Sequence, residues 1–366
     1  MKKVRLLVLS VGTRVGQNVL SVLASRRGAL DIVATSSVAN EPALFECDAI
    51  YLVPPTAAEP GAFERSLLEI VANERIDLVI PCRDDDVVFL AALSGRRPEL
   101  APRLLCGSAE ASRVIVDKWL SARFSEPHAL PFVPSIVSEA GDGSEFARRY
   151  GFPLVAKPRR GYASQDVYIV CNRAQLASAL AEPGWLVQQF LGDAGTVRKY
   201  LAGVDARGIP LFHTFQGLKH SLQALIGPDG AVVHVICTRN ASRLRRSKRV
   251  ESDDDPAVRA LAERCARVFA AAGWRGPLNI QCLRDAAGEL KIHEFNGRFT
   301  GATAERWLLG YDEVGAAIER FTGVALPSGR SPAGAPIEAF EWVTARAVDP
   351  RRAEALARDR VWRRPG

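Results

Sequence analysis

Several features that mark other classes of protein are missing from the sequence. Its seven cysteines form no CxxC pair, and their odd number argues against a disulfide framework, so we expect a reducing, cytoplasmic environment. No apolar run reaches the roughly 20 residues that a membrane-spanning helix needs. No histidines have HxxxH or HxH spacing, and no GxSxG nucleophile elbow occurs. These absences argue against disulfide-rich secreted, membrane, zinc and serine-hydrolase classes.

The formal net charge of +7 is unevenly distributed. Much of the excess lies in segments 239–249 (RNASRLRRSKR) and 358–364 (RDRVWRR), and the first contains no aromatic residue. Nucleic-acid-binding surfaces commonly combine basic and aromatic side chains. We therefore expect no nucleic-acid partner. A basic balance also suits an enzyme with polyanionic ligands.

The first hundred residues alternate short apolar strands with helical patterns. We predict strands at 4–10, 31–35, 49–53 and 77–81, and helices at 18–26 and 63–72. Such alternation is typical of an open parallel sheet covered by helices. The turn at 12–16 has GxxxG rather than GxGxxG spacing, so we expect a structural turn and no dinucleotide there.

The pattern changes near 112–125, where a helix predicted at 111–121 is followed by closely spaced prolines. Beyond it we predict strands at 151–157, 165–171, 186–191, 198–201, 211–217, 232–238, 278–284 and 290–295, with helices at 174–181 and 256–272. The fold class is then α/β and α+β. We predict an N-terminal domain at 1–115, a small lobe at 116–195, a large lobe at 196–325, and a linker with a C-terminal tail at 326–366.

Two lysines stand out by their position. Lys118 lies in the predicted helix, and Lys157 ends the strand in the run GFPLVAKP. A lysine at the end of a strand places an ammonium at a fixed point of a cleft wall, where it neutralises phosphate oxygens as a point charge. We therefore expect both lysines to bind phosphate.

Oxygen-bearing side chains lie on a predicted strand pair. Gln281 lies on the first strand, and Glu294 and Asn296 lie two residues apart on the second, so alternation along strands predicts that all three share a face. Oxygen ligands suit magnesium. Arg298 continues that face and is suited to bind a carboxylate or phosphoryl group. His293 is expected to point to the opposite face.

These segments, in this order and at these separations, resemble the ATP-grasp superfamily, most closely its carbamoyl-phosphate-synthetase and biotin-carboxylase branch, over about residues 1–325. The resemblance implies an N-terminal open α/β domain followed by two α+β lobes that close on the nucleotide. It implies ATP and Mg²⁺ as cofactors, with Mn²⁺ as an alternative metal.

The resemblance also implies roles for individual residues. The nucleotide-binding residues would be Lys118, Lys157, Ser164, Gln188, Gln189, Phe190, Leu191 and Asp193. The metal ligands would be Gln281, Glu294 and Asn296, and the catalytic residues would be Lys157, Arg239 and Arg298. For Arg239 two interpretations remain open: it binds the γ-phosphate or an acidic substrate, or it belongs to a charged loop balanced by the acidic residues at 251–255.

The sequence departs from the family pattern in three places. Gln189 stands in the adenine hinge where a glutamate is usual, although its amide keeps an acceptor. Ala194 and Gly195 replace the glutamate that normally binds the ribose, which leaves Asp193 as the nearby carboxylate. The phosphate loop 160–164 has fewer glycines than in relatives, although its backbone amides can still bind phosphate.

The implied reaction transfers the γ-phosphoryl group of ATP to a carboxylate, and an amine then displaces phosphate from the acyl phosphate. Bicarbonate as the carboxylate would give a carboxyphosphate-forming enzyme. A third hypothesis is a non-catalytic nucleotide sensor or scaffold, which the retention of both lysines and the metal ligands disfavours. The sequence shows no biotin-carrier or amidotransferase module. We therefore expect a stand-alone ligase of small-molecule carboxylates and amines, with a homodimer left open.

Overall fold

The computed structural model describes residues 3–161, 165–208, 215, 218–241, 249–329, 338–340 and 347–365. Within these residues, no helix combines the length and the apolarity required to cross a membrane. The described chain forms three β-sheets.

The N-terminal region is an open parallel sheet. Its strands and helices are β1 (Val4–Val8), α1 (Arg14–Leu23), β2 (Leu30–Ser36), β3 (Ala49–Leu52), α2 (Pro60–Asn73), β4 (Leu78–Ile80), α3 (Asp84–Arg96) and α4 (Ala109–Val116). The order β3-β2-β1-β4 places β1 between two parallel neighbours. Such strands are buried on both faces, which explains their near-continuous apolar sequences.

Helix α1 begins earlier than its apolar spacing predicts. The Thr13 hydroxyl caps it by accepting from the Gly16 amide at 3.2 Å. A Cβ at Gly16 would lie 2.3 Å from the Val11 carbonyl oxygen, so glycine is required for this close approach. The structural interpretation of the GxxxG turn is confirmed.

The small lobe contains a four-stranded antiparallel sheet. Its elements are α5 (Lys118–Ser125), β5 (Ser135–Ile136), α6 (Ser144–Tyr150), β6 (Leu154–Pro158), β7 (Tyr168–Val170), α7 (Arg173–Ala181) and β8 (Trp185–Gln189), with strand order β5-β8-β6-β7. The single helix predicted at 111–121 is in fact α4 and α5, interrupted at Asp117. The Asp117 carboxylate caps α5 by accepting from the Trp119 and Leu120 amides.

The large lobe differs from the prediction in its first part. It starts with α8 (Ala194–Arg207), β9 (Lys219–Ile226), β10 (Val232–Ala241), β11 (Arg249–Ser252), α9 (Pro256–Ala271), β12 (Gly276–Arg284) and β13 (Leu290–Asn296). The strand predicted at 198–201 is wrong, because Asp193 caps a helix that runs through it. Strand β9 was not predicted. The strand predicted at 211–217 lies outside the described residues except for position 215.

The final segments return to both larger sheets. They are α10 (Thr303–Leu308), α11 (Glu313–Thr322), β14 (Glu338–Phe340), α12 (Pro350–Asp359) and β15 (Val361–Arg363). Strand β14 pairs with β11 in the large-lobe sheet, whose order is β13-β12-β9-β10-β11-β14. Strand β15 pairs antiparallel with β3 and forms an edge of the N-terminal sheet. The tail therefore contributes one strand to each of these two sheets.

Strands β9, β10, β12 and β13 have two unlike faces. The apolar face is packed against α9, and its buried residues include Leu222, Ala224, Cys237, Leu278, Ile280 and Phe295. The opposite face, which we call the polar face, carries Lys219, Ser221, Gln223, Thr238, Asn279, Gln281, Glu294 and Asn296. This second face contains the predicted metal ligands.

Candidate active site

The predicted metal ligands lie on neighbouring strands of the polar face. Gln281 is directly opposite Glu294 in the antiparallel pairing of β12 with β13. Asn296 is opposite Asn279 in the same pairing. The structure therefore brings the three side chains together, as the alternation predicted. Among the described residues, no three His, Cys, Asp or Glu side chains are grouped to hold a metal, so amide oxygens would have to complete a site built on Glu294.

Two of these side chains are joined by a buried amide network. Asn279, fully buried, donates to the Ser221 hydroxyl at 3.0 Å and to the Leu222 carbonyl at 3.1 Å. Its side-chain oxygen accepts from Gln281 Nε2 at 3.4 Å and from Asn296 Nδ2 at 3.5 Å. Since both amide nitrogens turn toward Asn279, the Gln281 and Asn296 oxygens are directed away from it. Asn279 thereby orients the candidate ligands.

Lysines from three different elements surround Glu294. Lys118, at the start of α5, has its Nζ 3.4 Å from Glu294 Oε1. Lys157, on β6, donates to the His293 carbonyl at 3.4 Å. Lys219, at the start of β9, is close enough for Glu294 to act on its pKa. We call these three residues the lysine cluster.

Burial dominates the titration of the lysine cluster. It lowers the pKa of Lys157 to about 7, while Glu294 acts in the opposite direction and the charges of Lys118 and Lys219 add to the lowering. The pKa of Lys219 is also lowered by burial, against the effect of Glu294. Among the described residues, Glu294 is the one carboxylate that acts on the pKa of Lys157 and of Lys219, so the cluster has more cations than carboxylates, which suits a polyanion.

Asp117 fixes the position of Lys118 relative to β6. Besides capping α5, its carboxylate accepts from Arg159 Nε at 3.1 Å and from Arg159 Nη2 at 2.9 Å. The Lys118 amide donates to the Arg159 carbonyl at 3.0 Å. Arg159 lies two residues beyond Lys157, so the same junction places both predicted phosphate-binding lysines.

A β-bulge changes the position of His293. Gln281 pairs with Glu294, but Cys282 pairs with Ile292, so His293 is the extra residue of β13. Burial and the charges of the lysine cluster lower the pKa of His293 well below its usual range, and its Nε2 is buried without a partner among the described residues. Because His293 is the extra residue of the bulge, simple alternation does not decide its face, and the opposite face expected for it stays a prediction.

Arg298 connects the polar face to the N-terminal region. Its Nε is 2.8 Å from Asp84 Oδ1, and its Nη2 donates to Asp84 Oδ2 and to Asn296 Oδ1, both at 3.1 Å. A Cβ at the preceding residue, Gly297, would lie 2.6 Å from the Trp274 ring, so glycine allows the strand to pass this ring. Arg298 is thus held at the start of α3, beside the candidate ligands.

The loop after Arg298 is held by a buried ion pair. Arg306, fully buried, pairs with Glu313 at 2.8 Å. Its Nη2 also donates to the hydroxyls of Thr300 and Thr303, at 2.8 and 3.2 Å. The loop 299–303 is therefore fixed next to Arg298, where the sequence predicts a substrate carboxylate.

The predicted adenine hinge lies beside the strand of Lys157. Leu186 of β8 pairs with Lys157. The strand ends at Gln189, and the chain continues into Phe190 and Leu191. Gln188 is buried and donates to the Ser135 hydroxyl at 3.0 Å. The backbone N–H of Gln189 donates to the Pro134 carbonyl at 3.1 Å. The adenine interaction predicted for Gln189 would therefore use its carbonyl or its side-chain amide.

Asp193 and Ser164 are two further residues for which the sequence predicts nucleotide binding. Asp193 uses both carboxylate oxygens to cap α8, accepting from the amides of Gly195 and Thr196 and from the Thr196 hydroxyl at 2.7 Å. These hydrogen bonds lower its pKa. A ribose contact by Asp193 stays a prediction and would compete with this cap. Ser164 lies outside the described residues.

Arg239 is not brought to the site. In the sheet it lies opposite His220 and Glu251. Side chains alternate along β10, so Arg239 lies on the same face as Cys237, the apolar face, and Thr238 lies on the polar face. Its Nε is 3.2 Å from Glu251 Oε1. This position supports the interpretation of Arg239 as a charge balanced by the acidic segment. Its predicted catalytic role gains no support from the geometry.

Sequence reasoning missed Lys219 and Asn279. Lys219 was missed because β9 was not predicted, although residues 221–224 (SLQA) of that segment alternate polar and apolar residues. Asn279 lies two residues before Gln281, and the same alternation that grouped Glu294 with Asn296 would have found it.

Comparison with known proteins begins with the N-terminal region. Residues 6–101 match the family described as PylC-like, N-terminal domain. A curated D-alanine–D-alanine ligase of Syntrophobacter fumaroxidans is 34% identical over 100 residues, which are 26% of this chain and 30% of that protein. The match therefore spans less than a third of the relative.

Solved structures match over most of the chain. The N5-carboxyaminoimidazole synthetase of Staphylococcus aureus complexed with ADP aligns with a TM-score of 0.65 and 14% identity, over 89% of this chain and 79% of that one. The biotin carboxylase domain dimer of Hydrogenobacter thermophilus 2-oxoglutarate carboxylase, in complex with MgADP, ADP and bicarbonate, aligns with a TM-score of 0.60 and 14% identity, over 90% and 72%. At this identity the likeness shows the fold, and it confirms the fold class. Taken with the N-terminal family match and the ligase relative, it agrees with the resemblance to ATP-grasp proteins predicted from the sequence.

Proposed function

We propose that this chain, which has an ATP-grasp fold, is an ATP- and Mg²⁺-dependent ligase that activates a small-molecule carboxylate as an acyl phosphate for attack by an amine. The observation that carries the proposal is the lysine cluster around Glu294, beside the oxygen-bearing side chains of the polar face. Such a set of cations and oxygen ligands suits a nucleoside triphosphate with its metal. The reactions of proteins with this fold and of the D-alanine–D-alanine ligase relative support it.

The donor chemistry of the polar face fits magnesium. Glu294 supplies a carboxylate, and Gln281 and Asn296 supply amide oxygens turned away from Asn279. These residues would hold Mg²⁺, which neutralises charge on the phosphates when it is bound. These oxygen ligands suit Mg²⁺, and Mn²⁺ is kept as an alternative because it also prefers oxygen ligands.

The lysine cluster would do the electrostatic work of phosphoryl transfer. Lys118 and Lys157 approach β13 from two elements that Asp117 ties together, so the phosphates would meet preorganised charge. Charge neutralisation and in-line positioning account for most of the protein's part in such a transfer. Lys219 extends the positive surface along β9.

Arg298 would orient the carboxylate acceptor. In the structure its guanidinium is engaged by Asp84, and a substrate carboxylate near loop 299–303 would share it or replace Asp84. The acceptor oxygen attacks the γ-phosphorus and ADP leaves. The amine nitrogen then attacks the acyl carbon, phosphate leaves, and the amine loses a proton.

A trapping screen tests this function. The chain is incubated with MgATP and each of a panel of amino acids, small dicarboxylates and bicarbonate, with hydroxylamine as the amine. We expect phosphate release that depends on a carboxylate, together with a hydroxamate of that carboxylate. Thermal stabilisation by MgATP, with neither phosphate release nor hydroxamate over the whole panel, would instead identify a nucleotide sensor. A homodimer stays a prediction, which the native mass of the chain tests.

A further inference from the structure

A large cavity lies outside the candidate active site, between α5 and α6. Its volume is about 720 Å³, within the range of sites that bind small molecules. It is lined by residues of α5, of α6 and of the connection between them that contains β5. None of the residues assigned above to nucleotide, metal or catalysis lines it.

The lining of the cavity is about equally polar and apolar. Leu130, Val133, Ile136 and the rings of Trp119 and Phe146 belong to its apolar part, which we call the floor. Ser125 also lines the cavity and is only 1% exposed, and its hydroxyl has no hydrogen-bond partner among the described residues. A buried polar group without a partner is costly. The Ser125 Oγ has almost no accessible surface, so it would meet a ligand only after rotation about its Cα–Cβ bond.

The rim carries charges of both signs. Arg149 lies over the ring of Tyr150, with its guanidinium carbon 5.3 Å from the ring centroid, and this stacking orients a group that binds carboxylates bidentately. Arg123, 2.8 Å from Glu126, also lines the cavity, as do Asp142 and Glu145. A purely anionic ligand would meet three carboxylates, and a purely cationic one would meet two guanidinium groups. A zwitterion satisfies both.

We propose that this cavity is a second ligand site, for a small zwitterion with an aromatic or large aliphatic body such as an apolar amino acid. The carboxylate of the ligand would bind Arg149, its ammonium would face the rim carboxylates, and its apolar body would cover the floor. The candidate ligand is of the same chemical class as the substrates of an amino-acid-joining ligase, so the site would be regulatory.

The position of the cavity couples it to the adenine hinge. Ser135, on the cavity wall, accepts from Gln188 of β8 and donates to the Val133 carbonyl at 2.9 Å. A ligand that contacts α5 and α6 together restricts α6 relative to the helix that begins with Lys118. It would therefore change ATP affinity, and by linkage ATP would change the affinity of the zwitterion. This coupling rests on the proposed function, whereas the binding does not.

Binding is tested by calorimetry on the full chain with L-phenylalanine as the probe. Two analogues, 3-phenylpropionate without the ammonium and 2-phenylethylamine without the carboxylate, are expected to bind at least about tenfold more weakly, since each leaves one set of rim charges unpaired. Arg149→Ala is expected to weaken phenylalanine by about tenfold or more. Arg113→Ala, an exposed arginine on α4 outside the cavity lining, is the control and should stay within about twofold.

Three further outcomes decide the proposal. Ser125→Ala should weaken phenylalanine several-fold without loss of thermal stability, because the hydroxyl that it removes has no protein partner. Binding that is lost in Lys157→Ala and kept in Arg149→Ala would place phenylalanine in the active site and overturn the proposal, as would no binding of phenylalanine at all. Equal ATP affinity with and without saturating phenylalanine would overturn the regulatory part, even if the ligase activity is established.

Discussion

The two faces of the large-lobe sheet are made by the same strands but bury different chemistry. The apolar face packs aliphatic and aromatic side chains against α9, where burial of nonpolar area stabilises the fold. The polar face buries Ser221, Gln223, Asn279 and Asn296, which contribute little hydrophobic stabilisation. Burying polar groups is costly unless they are hydrogen-bonded, and both polar atoms of Gln223 lack a partner among the described residues. The contrast separates the face that holds the fold from the face on which we propose the chemistry.

The largest expected effect is on stability, from the apolar face. Phe269 of α9 is fully buried and contacts Phe295 edge-to-face at 4.8 Å between ring centroids. Phe269→Ala should lower the free energy of unfolding by about 3–5 kcal/mol, since it removes buried area and leaves a cavity. Chemical denaturation measures it. The control is Phe340→Ala on edge strand β14, where the ring is 52% exposed and little loss is expected.

On the polar face, Glu294→Gln should act on turnover instead of stability. The substitution keeps the shape and removes the carboxylate that faces Gln281, so the rate of phosphate release should fall on the order of 100-fold or more. Melting temperature and ATP affinity should change little, because the lysine cluster remains. Turnover within a few-fold of the parent would remove Glu294 from the metal site.

Lys118→Ala and Lys157→Ala should each weaken ATP binding. Each removes a buried cation near β13, and charge-assisted hydrogen bonds contribute about 1.5–3 kcal/mol, so affinity should fall about 10- to 100-fold. Calorimetric titration of MgATP provides the measurement. Arg123→Ala, an exposed cation on the same helix as Lys118, serves as the control. Unchanged affinity in either lysine variant would withdraw that lysine from the site.

A smaller effect concerns pH. The pKa of Lys157 is about 7 without a ligand, and a bound triphosphate favours the charged ammonium, so binding raises this pKa. Lys157 is already charged below pH 7. Above it, binding must take up a proton, and affinity should fall by up to about tenfold per pH unit. Titrations at pH 8 in buffers of different ionisation enthalpy should show proton uptake that Lys157→Ala abolishes. Equal apparent enthalpies in all buffers would contradict this.

The smallest expected effect comes from Gln223. Both polar atoms of its side chain are buried without partners among the described residues, so Gln223→Leu should leave stability unchanged or raise it by about 1 kcal/mol. Asn279→Leu is the matched contrast, because the Asn279 side chain makes four hydrogen bonds. This variant should lose about 1–3 kcal/mol of unfolding free energy. Equal losses in both variants would show that Gln223 is a structural residue.

Patterns local in sequence were enough for much of this arrangement. Alternation along the chain predicted the N-terminal parallel sheet, and alternation along β13 placed Glu294 with Asn296. Spacing alone did not predict α8, because the capping carboxylate of Asp193 decides that helix. Spacing also does not decide the face of His293, since one extra residue at a bulge interrupts the alternation.

Other features depend on contacts between distant segments. Asp84 is 214 residues from Arg298, and no local pattern predicts that they meet. Arg239 was grouped with the site because the family resemblance implies a basic residue there. Alternation along β10 instead places it beside Glu251 on the apolar face of the sheet. The lysine cluster combines α5, β6 and β9, so the third lysine was found only once β9 was located.

The most direct test of the account is amide hydrogen exchange of the unaltered chain with and without MgATP. If the polar face and the lysine cluster hold the nucleotide, exchange should slow together in β6, in the start of β9 and in β13, while α9 on the apolar face changes little. These segments are distant in sequence and meet only at the proposed site. Protection confined to the N-terminal sheet, or no change in any segment at saturating MgATP, would contradict the account.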